Sequence, residues 1–405
     1  MDLRNIINRK NEMADYMVED ITKIIKTFDK RPPGSKGEKE AVDYMASELK
    51  NWADDVKVES FTLHPGAFMG WIYLLVPLIV AGYVSYFFQP ILTIPFILLG
   101  IIIMLFEFIL YRQFVDKLYK KKTSYNITAV KKPTGEVKRR IFYNGHPDAA
   151  PEWTFNYLLG GVGFVGHVAI CMVGVIYMLA IAVVSILNNA GVIAVAATTI
   201  RTLGMVALVF APFWILLLWL WNDDRVVDGA NDNLSGCYMG MAILKAMSEA
   251  GITLENTEVG VLITGSEEAG LRGAKAWSEA HKGEYEDAET IIFAYDTIHE
   301  LKHLCVNVRD LNLTVKAHDR PSKLFKDAAD ELGVPCFYGN VPLGATDSAA
   351  FNQGGFKATG ITGLNHNLQD YYHTRRDTYD NLDKECLAEC YAASVKALEL
   401  LDDGK

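Results

Sequence analysis

Glu267 and Glu268 stand side by side in Gly265-Ser266-Glu267-Glu268-Ala269-Gly270-Leu271-Arg272-Gly273, just after the apolar, β-branched run Val259–Thr264. Side chains of neighbouring residues at a strand end point in different directions, so one carboxylate can hold a metal while the other moves a proton. A solvated acidic loop would have the same composition, and four more stretches bear on the choice. His146 ends an apolar strand in Gly145-His146-Pro147-Asp148, a pattern that suits an imidazole on a metal with a carboxylate, Asp148, orienting it from behind. Asp232 sits in the Gly-rich turn Asp228–Gly236 before a helix over 237–250, where N-capping is its plain role, although Ser235 is a second candidate for the cap. Asp296 follows the apolar strand 290–294, and His373 precedes the acidic run to Asp383. Each piece alone has a structural reading; all of them in one chain suggest a metal centre with a general base.

In order, His-x-Asp, Gly-Ala-x-Asp-Asn-x-Ser-Gly, Glu-Glu-x-Gly-Leu-Arg-Gly, a strand ending in Asp, and Tyr-His-Thr-x-x-Asp-Thr-x-Asp-Asn-Leu resemble the di-zinc exopeptidase family. That family includes bacterial aminopeptidases, aminopeptidase Y, glutamate carboxypeptidase and the transferrin-receptor ectodomain. Arg31-Pro32-Pro33-Gly34-Ser35-Lys36-Gly37 and Gly344-Ala345-Thr346-Asp347-Ser348 are also similar, although Ser348 stands where many relatives carry histidine. The resemblance implies an α/β fold with a mixed central sheet flanked by helices. It implies two Zn2+ per chain, His146 and Asp296 on one, Glu268 and His373 on the other, and Asp232 bridging them. Glu267 would be the general base, with Asp148 behind His146. A membrane-anchored di-zinc peptidase acting on peptides, most simply an aminopeptidase, is the leading expectation. A glutaminyl-cyclase-like zinc acyltransferase and a non-catalytic receptor or scaffold are the alternatives.

The elements that must carry this centre are interrupted twice. Half of the 405 residues are hydrophobic, and the excess is concentrated in 67–111 and 156–221. Residues 71–88 and 91–111, split by Gln89-Pro90, and then 157–187 and 202–221 are nearly uncharged runs. They approach or exceed the ~20 residues that cross a bilayer. The expected division is therefore a catalytic domain in three parts, 1–66, 113–155 and 222–405, with transmembrane hairpins over 67–112 and 156–221. The sheet survives only if each hairpin leaves and returns at neighbouring points. Glu107 and His167 are polar residues inside these runs, and the other histidines besides His146 and His373 are not expected to be ligands.

Helical spacing over 1–30 ends at Pro32-Pro33-Gly34, Ser35 opens a second helix to about Trp52, and 56–63 and 124–130 read as strands. Arg112, Lys117, Lys120, Lys121 and Lys122 flank the second apolar run, against only Arg201 in the far connections, which places the soluble parts in the cytoplasm. The six cysteines lack disulfide or zinc-finger spacing, and Met1-Asp2-Leu3-Arg4 opens no secretory signal, in agreement with that side. A net charge of −10 argues against nucleic acid as a partner. A homo-oligomer packed through the membrane hairpins is compatible with the pattern.

Overall fold

Eleven strands are formed in the computed structural model, which describes residues 3–405: β1 (Asp55–Leu63), β2 (Lys122–Lys131), β3 (Arg139–Gly145), β4 (Pro151–Glu152), β5 (Asn222–Val226), β6 (Thr257–Thr264), β7 (Glu289–Ile298), β8 (Leu304–Asp310), β9 (Val315–Lys316), β10 (Phe337–Asn340) and β11 (Lys357–Gly363). Nine of them make one sheet in the order β1-β2-β6-β3-β7-β11-β8-β10, with β9 beside β8, while β4 and β5 form a separate ladder. The centre, β6-β3-β7-β11, is parallel; β1, β2 and β8 run antiparallel to their inner neighbours. Helices flank this mixed sheet, as the motifs implied.

Alternation along β3 separates the two faces. Ile141 and Tyr143 join the large core with helices Lys10–Thr27, Lys36–Leu49, Ser235–Glu249, Asp319–Leu332 and Lys384–Asp402, whereas Phe142 meets Trp277 of helix Arg272–Ala280. Each fully buried Leu, Ile or Phe in that core stabilises by ~1.5–3 kcal/mol relative to exposure. All eight residues of β6 are buried, which explains their apolar, β-branched character.

The chain folds as two compact units, residues 1–65, 121–152 and 224–405 forming the α/β unit and residues 66–120 and 153–223 the other. The first interruption leaves the sheet intact for a geometric reason. Leu63, at the end of β1, is the register partner of Lys122, at the start of β2, so the intervening chain is the loop of a β-hairpin. At the second, Val227 N–H donates to the Ala150 carbonyl at 3.0 Å, again bringing exit and return together. Loop-closure cost grows only logarithmically with length, so closed ends make long insertions tolerable.

In the second unit four helices are long and apolar enough to cross a membrane: Pro65–Phe88, Pro90–Ile109, Thr154–Asn189 and Ala197–Trp219. Small residues set their spacing, since a Cβ on Gly174 would lie 2.7 Å from both Phe210 and Trp214. Val80, Val84, Ile102 and Ile176 face outward. Glu107 is buried in a π-helical turn, and its Oε2 accepts the Val115 N–H at 3.0 Å. His167 is packed against Phe155, ring centroids 4.7 Å apart, and near Cys171. Both therefore have local structural partners.

Several expectations need correction. Arg201 lies inside the helix Ala197–Val206 and not in a connection. Asp296 lies within β7, two residues before its end, because the strand continues to Ile298. Neither Asp232 nor Ser235 caps the helix that follows: Ser235 Oγ donates to the Asn231 carbonyl, and Asn233 Oδ1 accepts the Gly236 N–H. The helix from Ser35 ends at Leu49, with the Ser35 hydroxyl accepting the Glu38 N–H as expected of an N-cap. All six cysteines are free.

Candidate metal centre

Sheet order brings the chemistry together. β3 lies between β6 and β7, all three parallel, so their C-terminal ends open on one crevice. His146 directly follows β3, Glu267 and Glu268 form a short turn after β6, and Asp296 is near the end of β7. Asp232 comes from the turn Ala230–Leu234 before the helix Ser235–Glu249, and His373 from the loop after β11.

Two clusters result. His146, Glu267 and Asp296 each bring a ligand-type atom within 4.8 Å of the other two, as do Asp232, Glu268 and His373. Asp232 connects them: its Oδ1 is 3.4 Å from His146 Nε2 and its Oδ2 is 3.0 Å from His373 Nε2. Glu268 Oε1 is 3.4 Å from His373 Nε2, and Glu267 Oε2 is 3.7 Å from His146 Nε2. Every predicted site residue is thus in one place, and all are buried.

The local backbone is held in unusual conformations to achieve this. Ser266, Thr297 and His373 all have left-handed φ, at 59°, 52° and 52°, directly before, after or at a clustered residue. Such conformations persist only where surrounding structure over-determines them. Asp148 supplies much of that constraint. Its Oδ1 and Oδ2 accept the N–H groups of Glu267 and Glu268, both at 3.0 Å, while Oδ1 stands 3.4 Å from His146 Nδ1. It therefore sits behind His146, as expected, and also fixes both glutamates. Gly273 allows the close approach of this turn, because a Cβ there would be 2.3 Å from the Gly265 carbonyl. Gly273→Ala is expected to cost ~1–3 kcal/mol through overpacking, read by chemical denaturation; an unchanged midpoint would show that the turn can yield.

Four supports were not assigned from sequence. Asp377 Oδ1 accepts the Asn231 N–H at 2.8 Å and Oδ2 the Asp232 N–H at 3.1 Å, holding the Asp232 loop. Its place in the Tyr-His-Thr-x-x-Asp run was the available signal. Glu38 accepts from Ser266 Oγ at 2.9 Å and Gly34 N at 2.7 Å, with nothing local in the sequence to announce it. Arg31 lies fully buried behind the His146 and Asp232 loops. Tyr372 stacks on His373 with ring centroids 4.1 Å apart, and burial together with Asp232, Asp296, Glu268 and Glu267 keeps its phenol protonated well above the usual pKa.

Electrostatically the centre is over-supplied with negative charge. Burial, then neighbouring carboxylates, push Glu267, Glu268 and Asp296 well above the ordinary range, His146 opposing. Burial works against charge on His146, yet Glu267, Asp148 and Asp232 outweigh it and raise its pKa. Burial also acts to raise Asp232, but His146 and His373 pull it below the usual value. Both ring nitrogens of His146 and Glu268 Oε1 are buried without a hydrogen-bond partner. Unpartnered buried groups of this kind and a ligand set of imidazoles and carboxylates fit a divalent cation such as zinc.

Comparison with known proteins bears on the fold that carries this site. Residues 219–398 match the model of peptidase family M28. The fold is similar to the aminopeptidase from Aneurinibacillus sp. strain AM-1, with TM-score 0.57 and 14% identity over 98% of this chain and 95% of that one. It is similar to BSAP, a zinc aminopeptidase from Bacillus subtilis, with TM-score 0.57 and 13% identity over 96% and 94%. Porphyromonas gingivalis glutaminyl cyclase also matches, with TM-score 0.56 and 12% identity over 96% and 98%. No curated protein matches the chain by sequence. A match of residues 219–398 to the peptidase family M28 model thus sits in a chain whose fold is similar to those of zinc-dependent aminopeptidases.

Proposed function

We propose that the chain is a membrane-anchored di-zinc aminopeptidase. The observation that carries this reading is Asp232, whose two oxygens face His146 and His373 separately, the disposition a bridging carboxylate needs. His146, Asp296 and Asp232 would hold one zinc, and Glu268, His373 and Asp232 the other. When bound, such a pair lowers the pKa of a shared water from about 15.7 towards ~7 and polarises a peptide carbonyl. Glu267 would be left unligated, as its role of base requires. It takes the proton of the attacking water and passes it to the departing amine. Asp148 keeps both glutamates in place through their backbone N–H groups.

Charge favours a free amino terminus over a carboxyl terminus. Asp148, Asp232, Glu267, Glu268, Asp296 and Asp347 act on one another, so six carboxylates outnumber the four positive charges of two zinc ions. Arg375, two residues after His373, is paired with Glu152 through two bonds of 2.6 Å, so its charge is already balanced. A substrate ammonium is therefore attracted and a carboxylate repelled. Membrane anchoring is supported by the four apolar helices, and a cytoplasmic catalytic unit by the lysines around Lys117–Lys122.

A panel of peptides with free and acetylated amino termini tests the specificity. Free peptides are expected to lose one residue from the amino end, and acetylated ones to be inert. Trimming of acetylated peptides from the carboxyl end would overturn the aminopeptidase reading. Loss of ammonia from peptides beginning with glutamine, without cleavage, would favour the cyclase alternative raised by the Porphyromonas gingivalis neighbour.

A further inference from the structure

His146 and Asp232 must stay within ångströms of each other, yet almost the whole chain between them belongs to the second unit. Whatever holds them in register must grip the chain where it leaves the α/β unit and where it returns. Arg31 occupies that position. Its Nε donates to the Pro147 carbonyl at 2.7 Å, next to His146. Its Nη2 donates to the Asp228 carbonyl at 2.5 Å and the Gly229 carbonyl at 3.3 Å, at the head of the Asp232 turn. Its own carbonyl accepts the Ala149 N–H at 2.9 Å. One residue thus binds residues 147 and 149 on one side and 228 and 229 on the other, while Lys30 pairs with the Asp228 carboxylate.

We propose that Arg31 is a positioning residue for the metal centre, a clasp that sets the His146 strand end against the Asp232 turn across the inserted segment. The claim rests on the metal-centre reading above.

Two observations make this more than ordinary packing. The guanidinium is 2% exposed, and its hydrogen bonds go to main-chain carbonyls. Burying a permanent charge is costly, and a side chain there only to fill volume would be apolar. The rigid planar fork spreads its donors far enough to reach both loops, whereas a lysine ammonium gathers its three donors at one compact nitrogen. Gly229 is shaped to receive it. With φ 58°, a Cβ at residue 229 would stand 2.6 Å from the Asp232 carbonyl, 2.8 Å from Ala149 Cβ and 3.2 Å from Arg31 Nη2, so the glycine serves the turn as well as the guanidinium. A left-handed glycine lets both ends of the insertion close on the guanidinium.

The test uses the full chain in detergent micelles, with Arg31→Lys as principal variant and Gly229→Ala as the second. Zinc affinity is measured by competition with a chelator, and amide hydrogen exchange is followed in the metal-free protein. Arg31→Lys is expected to weaken zinc by ~10–100-fold, the range for residues that orient ligands. Exchange should quicken together in residues 148–150 and 227–233, while the sheet, sampled at β6 and β7, stays protected. Gly229→Ala, which crowds the Asp232 carbonyl, Ala149 and the guanidinium where the two loops meet, should change the same two segments. Native zinc affinity in Arg31→Lys would overturn the proposal, as would faster exchange in only one of the two segments. Uniformly faster exchange through β6 and β7 would also overturn it, since Arg31 would then be a general stabiliser. If the unaltered protein fails to bind zinc, the metal-centre reading itself falls and the clasp with it, an outcome distinct from a zinc-binding protein indifferent to Arg31.

Discussion

Replacing Glu267 by glutamine will reduce kcat for hydrolysis of aminoacyl amides by ~10²–10⁴-fold, the range a general base contributes. Zinc content and melting temperature will stay close to those of the unaltered protein. The glutamine keeps the volume of the side chain and leaves the Glu267 N–H free to donate to Asp148. Only the proton acceptor is lost. Glu268→Gln, one residue along, should behave differently. Glu268 Oε1 lies beside His373 and has no hydrogen-bond partner, so weakening it as a ligand removes metal before it removes chemistry. Metal analysis beside steady-state kinetics separates the two. If Glu267→Gln retains native kcat, or loses zinc while Glu268→Gln keeps it, the assignment of base and ligand must be exchanged.

Stripping zinc with a chelator will abolish activity and will also make stability fall as pH rises. Glu267, Glu268 and Asp296 are held above the ordinary carboxylate range, chiefly by burial, and Glu38 is pushed up to about 8 by burial and then by Asp148. In the unfolded chain such groups ionise near ~4. Between those values the folded, metal-free protein holds more protons than the unfolded chain, so stability declines with pH. His146, raised above its unfolded value, acts in the same sense, since its stabilisation is complete at low pH and is lost as pH rises through its folded value. Asp232 acts oppositely: its depressed pKa stabilises above the unfolded value and is lost in acid. One group against five sets the sign. The melting temperature of the zinc-free protein should drop by roughly 2–3 °C or more between about pH 5.5 and about pH 8, the shift expected of ~2 kcal/mol in a chain of this length. Restoring zinc should remove most of that slope, because ions bound only by the folded state stabilise it and compensate the carboxylates. A zinc-free melting temperature that is flat or rises with pH would refute the charge reading of the centre.

Much of this was legible from residue types. Val259–Thr264 is apolar and β-branched because β6 is buried on both faces, and Glu267-Glu268 is conspicuous because such a strand should not end in two carboxylates without a use for them. The apolar helices were plain from length and composition, which a bilayer-sized run makes unambiguous. The strand limits were less so. Asp296 seemed to terminate a strand that continues two residues beyond it, since pairing of Thr362 with Asp296 in β11 extends it past the apolar run. The start of the helix Ser235–Glu249 was also not readable: its N-cap is Leu234, with no side-chain cap, and Asn233 Oδ1 instead accepts the Gly236 N–H from a turn bent around Asp232.

What the chain settled by itself is the inventory: two histidines, the carboxylates, and four stretches long and apolar enough to cross a membrane. Those are properties of side chains and of runs of side chains, and they survive without coordinates. Which residues meet was decided by tertiary structure. The order β6-β3-β7 places three strand ends side by side, the Leu63–Lys122 register closes one insertion as a hairpin loop, and Arg31 joins residues 147 and 228 across the other. None of these pairings has a local signature, because each joins residues tens to hundreds of positions apart whose only common feature is a shared place in the sheet.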